Sequence, residues 1–273
     1  MRYFDRENYR IVQIETKTTP EFWDALWSYT ATPFDGDNLQ MENFVTRYTK
    51  KYLSPDDGLI LEGCCGRGKH VAELVSHGYR CIGIDYAPAT VKETSHTYPQ
   101  LDIRLGDVRR LGFETDTFAG YWSLGVIEHY WEGYRQIVSE MERVIRPNGY
   151  LFLTFPSISL LRKVKIIMGK YPLIGSGNEP DGFYQFILDK RKVMLDIQRF
   201  GFQLVYSSRL DGIKGVKSEL HLFSKVLQSL YDYRGKSIPV KAIRSLLSIL
   251  LSVFAEHATL LIFVRKNGSK NQT

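Results

Sequence analysis

Two acidic residues follow short apolar runs at a spacing typical of nucleoside-binding sites. Glu62 follows the run Leu59–Leu61, and Asp85 follows a second run, RCIGI, nineteen residues after Gly66. A carboxylate at the end of a second strand, about twenty residues beyond a glycine-rich turn, can accept hydrogen bonds from both hydroxyls of a ribose. The spacing therefore predicts a nucleoside ligand.

The glycine-rich turn lies within Leu59–Val75, which reads LILEGCCGRGKHVAELV. Its apolar run, its glycines and the helical spacing of its later apolar residues predict a strand, a turn and a helix. Glycine lets the backbone approach a ligand closely, and the N–H groups of a new helix favour a polar or anionic group. A dinucleotide fingerprint needs another glycine where Val71 stands, so a dinucleotide-dependent oxidoreductase is disfavoured.

Strand and helix signals alternate from this turn onward. The predicted strands and helices are strands 59–62, 80–84, 101–105, 118–124 and 150–155 and helices 68–77, 88–97 and 132–145. This alternation predicts an α/β fold with a doubly wound, mostly parallel sheet that binds ligands at the carboxyl ends of its strands. Glu62, Asp85, Asp107 and Leu124 all fall at such ends.

These motifs resemble those of the class I S-adenosylmethionine-dependent methyltransferases, a Rossmann-like family, over about residues 57–265. That family has an acid at the glycine loop, an acid after the second strand, a Gly-Asp-aliphatic triplet, an aliphatic-Glu-His sequence and a Pro-Gly-type turn before the fifth strand. The matching segments here are Glu62, Asp85, Gly106–Val108, Ser123–Trp131 and Arg143–Pro156. The family usually has glycine where this chain has Cys64, whose Cβ would narrow the space for the methionine part of the cofactor.

The resemblance implies that S-adenosylmethionine is the cofactor. By that resemblance, Glu62 would hold the methionine end and Asp85 the ribose. Asp107 and Val108 would contact the adenine edge, and Tyr86 would stack on or cap the adenine. The predicted cofactor-binding residues are Glu62, Gly63, Cys64, Gly66, Asp85, Tyr86, Asp107, Val108, Leu124 and Gly125.

His129 is the candidate catalytic residue. It follows the fourth strand in GVIEH, where the methyl group should emerge, and an imidazole suits a general base for a hydroxyl acceptor. The same imidazole would also suit a role in orienting a loop or the cofactor. Glu128 is expected to cap the following helix or to pair with a basic neighbour. No metal site is predicted, because His70 and His257 lack partners at metal-ligand spacing.

The rest of the chain is predicted to cover this domain. The predicted parts are an N-terminal helical cover (1–57) with helices 21–29 and 39–53, a cofactor-binding domain (58–266) with lid insertions at about 157–183 and 211–238, and a disordered tail (267–273). Trp23, Trp27 and Tyr29, at helical spacing in the cover, would either face a ligand or pack in the core.

The last apolar segment, Ile243–Val264, approaches the length of a membrane span. Arg244, Glu256 and His257 interrupt it, so a helix 240–254, a turn and a strand 259–264 are predicted instead. In the resembled family this seventh strand lies antiparallel to its neighbours. No transmembrane span is therefore expected, whereas the first insertion, LLRKVKII, would either contact a membrane surface or pack over the rim of the site.

Composition and charge limit the class of protein. A chain of 273 residues that is 44% apolar can bury a sizeable core, and its three cysteines do not form a disulfide framework. The charged N-terminus predicts no leader sequence, and a cytoplasmic location is expected. Residues 1–156 hold 17 basic and 22 acidic residues, whereas residues 157–273 hold 19 and 8. The basic half indicates an anionic substrate, an acidic carrier, a membrane surface or merely a solvated face.

The predicted function is transfer of a methyl group to a small molecule or biosynthetic intermediate, on oxygen, nitrogen or carbon. RNA and protein are alternative acceptors, although no RNA-binding module or run of Lys and Arg is present. A non-catalytic protein that binds a nucleotide cofactor is a further alternative, which the cysteine at position 64 keeps open. Oligomeric state is not predicted.

Overall fold

A computed structural model describes residues 1–29, 43–175, 177–220, 224–233 and 237–267. The strands, in chain order, are β1 (Arg2–Asp5), β2 (Arg10–Ile14), β3 (Leu59–Gly63), β4 (Cys81–Asp85), β5 (Asp102–Leu105), β6 (Phe118–Leu124), β7 (Ile145–Pro156), β8 (Leu173–Ile174), β9 (Phe183–Ile187), β10 (Phe202–Leu210) and β11 (Ala258–Arg265). The α-helices are α1 (Pro20–Tyr29), α2 (Phe44–Tyr52), α3 (Lys69–Ser76), α4 (Pro88–Thr97), α5 (Arg135–Val144), α6 (Leu160–Ile167), α7 (Lys190–Arg199), α8 (Gly212–Glu219), α9 (Ser224–Tyr231) and α10 (Ile238–Ala255).

Seven strands form the central sheet in the order β10-β11-β7-β6-β3-β4-β5. The five strands from β7 to β5 pair in parallel, and β11 pairs antiparallel with both β7 and β10. The prediction of a doubly wound, seven-stranded sheet whose last strand is antiparallel is therefore confirmed. The order reverses between β3 and β6, which is where such sheets bind ligands.

Both faces of this sheet are buried, so its central strands are apolar on each side. In β3, Leu61 belongs to one core cluster and Ile60 to the other. In β6, Trp122 is fully buried and stacks on Phe152 at a ring-centroid distance of 4.4 Å. The indole N–H of Trp122 donates to Thr49 Oγ1 at 2.9 Å, which ties α2 to the middle of the sheet.

A second sheet, in the order β8-β1-β2-β9, was not anticipated. Its antiparallel hairpin, β1 and β2, occupies the segment expected to be a wholly helical cover. Of its outer strands, β8 lies in the first insertion and β9 begins where that insertion ends. The hairpin strands RYFD and RIVQI are too short and too charged to show the alternation that identifies a strand. The insertion therefore pairs with the N-terminal segment instead of forming a separate loop.

The N-terminal segment contains two helices, as predicted, with changed bounds. The second cover helix spans Phe44–Tyr52, and the side chain of Asn43 caps it by accepting from Val45 N at 2.7 Å. Residues 30–42, with the predicted turns at 32–33 and 35–36, lie outside the described residues, as do residues 268–273 of the predicted tail.

The last helix and strand occur as expected. Helix α10 ends at Ala255 and is followed by β11 in the central sheet. By length and composition alone α10 could cross a membrane, and its mean hydropathy is 1.7. Core helices and leader sequences also meet these criteria.

Candidate functional site

A cleft of about 1190 Å³ lies at the carboxyl ends of β3, β4 and β6. It is larger than the roughly 300–1,000 Å³ usual for one small ligand, so a nucleoside and a second molecule can share it. Its walls come from the cover helix α1, the glycine-rich turn and the segment after β6. The lining residues include Lys17, Trp23, Trp27, Glu62, Cys64, His70, Glu73, Asp85, Tyr86, Arg109, Leu124, Gly125, His129, Tyr130, Trp131, Glu132 and Glu179.

Glu62 places an unsatisfied carboxylate oxygen at this cleft. The residue is buried, and its Oε2 has no hydrogen-bond partner among the described residues. Burial, with a smaller contribution from the nearby Asp85, raises the pKa of Glu62 to about 7. A buried acceptor without a partner is costly unless a ligand satisfies it, so Glu62 is suited to a cationic donor.

Gly63 allows the strand end beneath Glu62 to pack closely. A Cβ at this position would lie 2.2 Å from the hydroxyl oxygen of Tyr121 and 3.0 Å from Cγ1 of Val108. Gly63 does not line the cleft. Its role is to let β3 and the loop after β5 meet behind Glu62.

Helix α3 adds two polar side chains, His70 and Glu73, to the wall of the cleft. Glu73 is buried and accepts from Thr46 Oγ1 at 2.5 Å, and Nδ1 of His70 lies 3.4 Å from Glu73 Oε2. Burial lowers the pKa of His70, but Glu73 and Glu62 outweigh it and raise that pKa above its ordinary value. From the sequence, His70 is considered only as a metal ligand, and that role is excluded. The i, i+3 spacing of an imidazole and a carboxylate after the glycine turn was the signal for this pair.

Asp85 ends β4 with both carboxylate oxygens facing backbone donors. Oδ2 accepts from Gly66 N at 2.7 Å and Oδ1 accepts from Ala87 N at 3.0 Å. Burial raises the pKa of Asp85 above its ordinary value, although these N–H groups oppose the shift. Each carboxylate oxygen has a second lone pair, so the side chain can accept two more hydrogen bonds from the cleft.

The glycine turn contains a non-glycine residue with a left-handed backbone. Cys64 has φ +58°, which favours glycine, and its half-buried side chain lines the cleft. Burial raises the pKa of the Cys64 thiol well above its ordinary value, so the thiol is neutral. Gly66 has φ +53°, and a Cβ there would lie 2.8 Å from the indole of Trp27. The close approach that Gly66 permits is thus to the cover helix.

The remaining predicted cofactor-binding residues are placed differently from one another. Tyr86, Leu124 and Gly125 line the cleft, whereas Asp107 and Val108 do not. Val108 is buried in the core, and Asp107 holds Arg109 in an ion pair with a 2.6 Å contact between Nη2 and Oδ2. Arg109 is the residue of this loop that reaches the cleft.

His129 lies at the aromatic end of the cleft as a neutral imidazole. Its Nδ1 lies 2.7 Å from the carbonyl oxygen of Tyr184, an acceptor, so Nδ1 carries the proton and Nε2 keeps its lone pair. Burial lowers the pKa of His129 to about 4. Trp23 meets the ring edge to face at 5.1 Å. Tyr184 comes from β9, and no sequence signal linked that strand to His129.

The expectation for Glu128 is wrong. The residue is buried, forms no ion pair among the described residues, and has an Oε2 without a hydrogen-bond partner there. Burial raises its pKa to about 8, so the carboxyl group is neutral near pH 7. The short 3₁₀ turn Ile127–His129 directs Glu128 inward and His129 to the cleft.

The cover helix α1 lies over the cleft, as one of the two readings of its tryptophans predicted. Trp23 and Trp27 both line the cleft, and their rings stack at 6.2 Å. Arg67, in the glycine turn, donates from Nη1 to the carbonyl oxygen of Trp27 at 3.2 Å. The side chain of Tyr29 is outside the described residues. At the mouth, Lys17 and Glu179 form an ion pair at 3.2 Å between the N-terminal segment and the first insertion.

Residues 61–153 match the family model described as a methyltransferase domain. A curated relative, a probable S-adenosylmethionine-dependent methyltransferase of Mycolicibacterium smegmatis, is 36% identical over 98 residues, 36% of this chain and 38% of its own length. A phthiotriol/phenolphthiotriol dimycocerosates methyltransferase of Mycobacterium ulcerans is 31% identical over 99 residues, 35% of this chain and 36% of its own. The chain thus spans less than half the length of these curated relatives.

A solved structure shares the fold. The SAM-dependent methyltransferase structure from Methanosarcina mazei superposes with a TM-score of 0.56, covering 84% of this chain and all of that one, at 14% sequence identity. At this identity the likeness concerns the fold alone.

Proposed function

Because this chain carries a domain of the class I S-adenosylmethionine-dependent methyltransferase family, we propose that it transfers a methyl group from this cofactor to a small-molecule acceptor beneath α1. The observation that carries the proposal is the buried Glu62 oxygen without a partner at the same cleft as Asp85. These two carboxylates suit two polar parts of the cofactor: the ammonium group of its methionine part and the hydroxyl groups of its ribose.

The residues present fit this cofactor. Glu62 would accept from the ammonium group, and the second lone pairs of Asp85 would accept from the ribose hydroxyls. Tyr86 and Leu124 offer flat and apolar surface for the base. When bound, S-adenosylmethionine supplies a methyl group on a sulfonium centre, which leaves as a neutral thioether.

His129 has the role of aligning and deprotonating a hydroxyl acceptor. The lone pair on Nε2 accepts a hydrogen bond from the hydroxyl group of the substrate. Nε2 carries this lone pair because Nδ1 donates to the Tyr184 carbonyl oxygen, which fixes the tautomer. Burial keeps the imidazole uncharged at neutral pH, and a pKa near 4 makes it a weak base. Proton transfer therefore occurs as the bond to the methyl carbon forms, since the hydroxyl becomes more acidic at that moment.

The walls beside His129 favour an acceptor with a flat or apolar body. Trp23 packs against His129, and Trp27, Tyr130 and Trp131 line the same cleft. Aromatic walls exclude water, which protects an activated methyl group from hydrolysis. The relative from M. ulcerans is named for an acceptor that is neither nucleic acid nor protein, which supports a small-molecule acceptor here.

The test begins with cofactor binding. Isothermal titration with S-adenosylmethionine and S-adenosylhomocysteine should give micromolar affinity that falls at least tenfold in Glu62→Gln and in Asp85→Asn. Glu132→Gln, at the same cleft, is the matched control and should bind normally. Absence of binding by the unaltered protein would overturn the proposal.

Turnover is then measured by formation of S-adenosylhomocysteine with a panel of hydroxylated aromatic and isoprenoid compounds. His129→Ala should lower turnover of a hydroxyl acceptor about a hundredfold and leave cofactor affinity unchanged. Cofactor binding without turnover of any compound, RNA or protein offered would instead favour a non-catalytic binding protein.

A further inference from the structure

Helix α10 exposes a continuous apolar stripe. Ile243, Leu246, Ile249, Leu250 and Val253 are each between 59 and 62% exposed. Their spacing of three and four residues places them on one side of the helix. Scattered exposed apolar residues are ordinary, but a stripe this long marks an interaction surface.

The opposite side of α10 fixes the direction of the stripe. A Cβ on Gly212 would lie 2.2 Å from Ser252 N, and one on Gly215 would lie 1.6 Å from the carbonyl oxygen of Ala255. The two glycines of α8 therefore let the helix backbones touch. Ser252 and Ala255 are buried in this contact, so α10 cannot rotate to bury its apolar side without losing it.

The helices around the stripe are strongly basic. Apart from the buried Arg162, helices α6, α8 and α10 contain six Lys and Arg residues, and Glu219 is their single acidic residue. Glu219 is buried and accepts from Arg2, Arg162 and Lys165, so it adds no negative charge to the surface. Lys241, two residues before Ile243, is exposed, and Arg244, the residue after Ile243, is half exposed and donates to the carbonyl oxygen of Tyr233.

We propose that the α10 stripe docks onto an anionic phospholipid bilayer, with the helix lying in the plane of the interface. The apolar side chains would enter the boundary between headgroups and acyl chains, and the basic residues would face lipid phosphates. Charge complementarity selects this occupant, because a second copy of the chain would bring two basic surfaces together. The inference stands on the surface alone and does not depend on the proposed methyl transfer.

A membrane span is a poorer fit to the same helix. The eighteen residues of α10 are long enough to span a bilayer, but one side of the helix packs backbone to backbone on α8. The chain also enters the central sheet at Ala258, three residues after α10 ends.

Helix α6, which packs against α10, contributes two more exposed apolar residues, Ile167 (85%) and Met168 just beyond its end (61%).

Vesicle flotation of the full chain tests the proposal. The probes are vesicles of phosphatidylcholine alone and of phosphatidylcholine with about one third phosphatidylglycerol. The unaltered protein should float with the anionic vesicles, and the triple variant L246E/I249E/V253E should lose at least tenfold in bound fraction. The matched control L195E/V205E, which changes exposed apolar residues of α7 and β10, should float normally.

Two further measurements test the contribution of the basic residues to vesicle binding and the folding of the triple variant. K241E/R244E should weaken binding several-fold, and salt should weaken it because the charged part is screened. An unchanged thermal midpoint would show that the triple variant is folded.

Each contrary outcome would overturn the proposal. These outcomes are absence of flotation by the unaltered protein, equal flotation on neutral vesicles, or equal flotation of the triple variant. A concentration-dependent dimer that the triple variant abolishes, without vesicle binding, would assign the stripe to a second copy instead.

Discussion

Asp24 in α1 caps the first turn of α4 through Thr90. Its Oδ1 accepts from both the backbone N–H and the side-chain hydroxyl of Thr90, each at 2.7 Å. Helix α4 has no cap of its own, because Ala87 stands at its N-cap position. The cover helix thus supplies to the sheet domain a polar group that this helix start lacks.

Removing this cap should loosen the cover. We expect Asp24→Ala to cost about 1 kcal/mol of stability, as for other lost caps. It should also weaken S-adenosylmethionine binding several-fold, since Trp23 and Trp27 lie on the same helix. Ser28→Ala, which changes an exposed side chain of α1 that bonds within its own helix, is the control. Equal cofactor affinity in both variants would show that the cap does not position α1.

Cofactor affinity should depend on pH through Glu62. Its pKa of about 7 means that the carboxyl group is partly protonated at neutral pH and must be ionised to pair with an ammonium group. Affinity should therefore fall as the pH drops from 7.5 to 5.5, by up to about tenfold per unit. Titrations across this range check it, and Glu62→Gln should flatten the profile.

The contribution of His129 to turnover should not change with pH around neutrality. Its lowered pKa of about 4 keeps it unprotonated above about pH 5, so its contribution to kcat should stay constant from pH 6 to 8. The pH profile of kcat with saturating cofactor measures this. A limb near pH 6.5 that disappears in His129→Ala would contradict the buried, neutral imidazole.

Cys64 should show the cost of its left-handed backbone. The left-handed backbone of an L-residue lowers the folding stability by about 1–2 kcal/mol. Glycine avoids this strain, but its more flexible unfolded chain offsets part of the gain. We expect Cys64→Gly to be about 1 kcal/mol more stable than Cys64→Ala, which keeps the Cβ. Urea unfolding of the two variants makes the comparison, and equal midpoints would contradict it.

The buried ion cluster at Glu219 should govern stability in acid. Burial alone would raise the pKa of Glu219, but Arg162 and Arg2 hold it at about 2, below its ordinary 4.5. A depressed pKa stabilises the folded state above pH 4.5, and this contribution disappears as the pH falls towards 2. Glu219→Gln should cost about 3–5 kcal/mol at pH 7, because Arg162 loses its counter-charge. Unfolding at pH 7 and pH 3 should show that the cost shrinks in acid.

The central sheet could be predicted because local signals and topology agree there. The run Leu59–Leu61, the glycine turn and the acids Glu62 and Asp85 each mark a strand end, and parallel strands bring such ends together. The polar half of the site follows from the same rule. The location of Glu62 and Asp85 at one cleft could therefore be predicted without knowing which distant segments pack together.

The acceptor half of the site depends on contacts between distant segments. Tyr184, which orients His129, belongs to β9, whose partner is the N-terminal hairpin strand β2. Neither strand shows a clear two-residue period, and their pairing is fixed only when the chain folds. The inward direction of Glu128 likewise results from a 3₁₀ turn that no residue type announces.

The position of β11 between β7 and β10 has a consequence for synthesis of the protein. Strand β10 is made some fifty residues before β11, yet β11 is its neighbour in the sheet. As the chain leaves the ribosome, β7 and β10 therefore each present an unpaired edge until the last strand arrives. A premature stop before Ala258 should leave both edges exposed, and such a product should aggregate or be degraded instead of folding as a smaller domain.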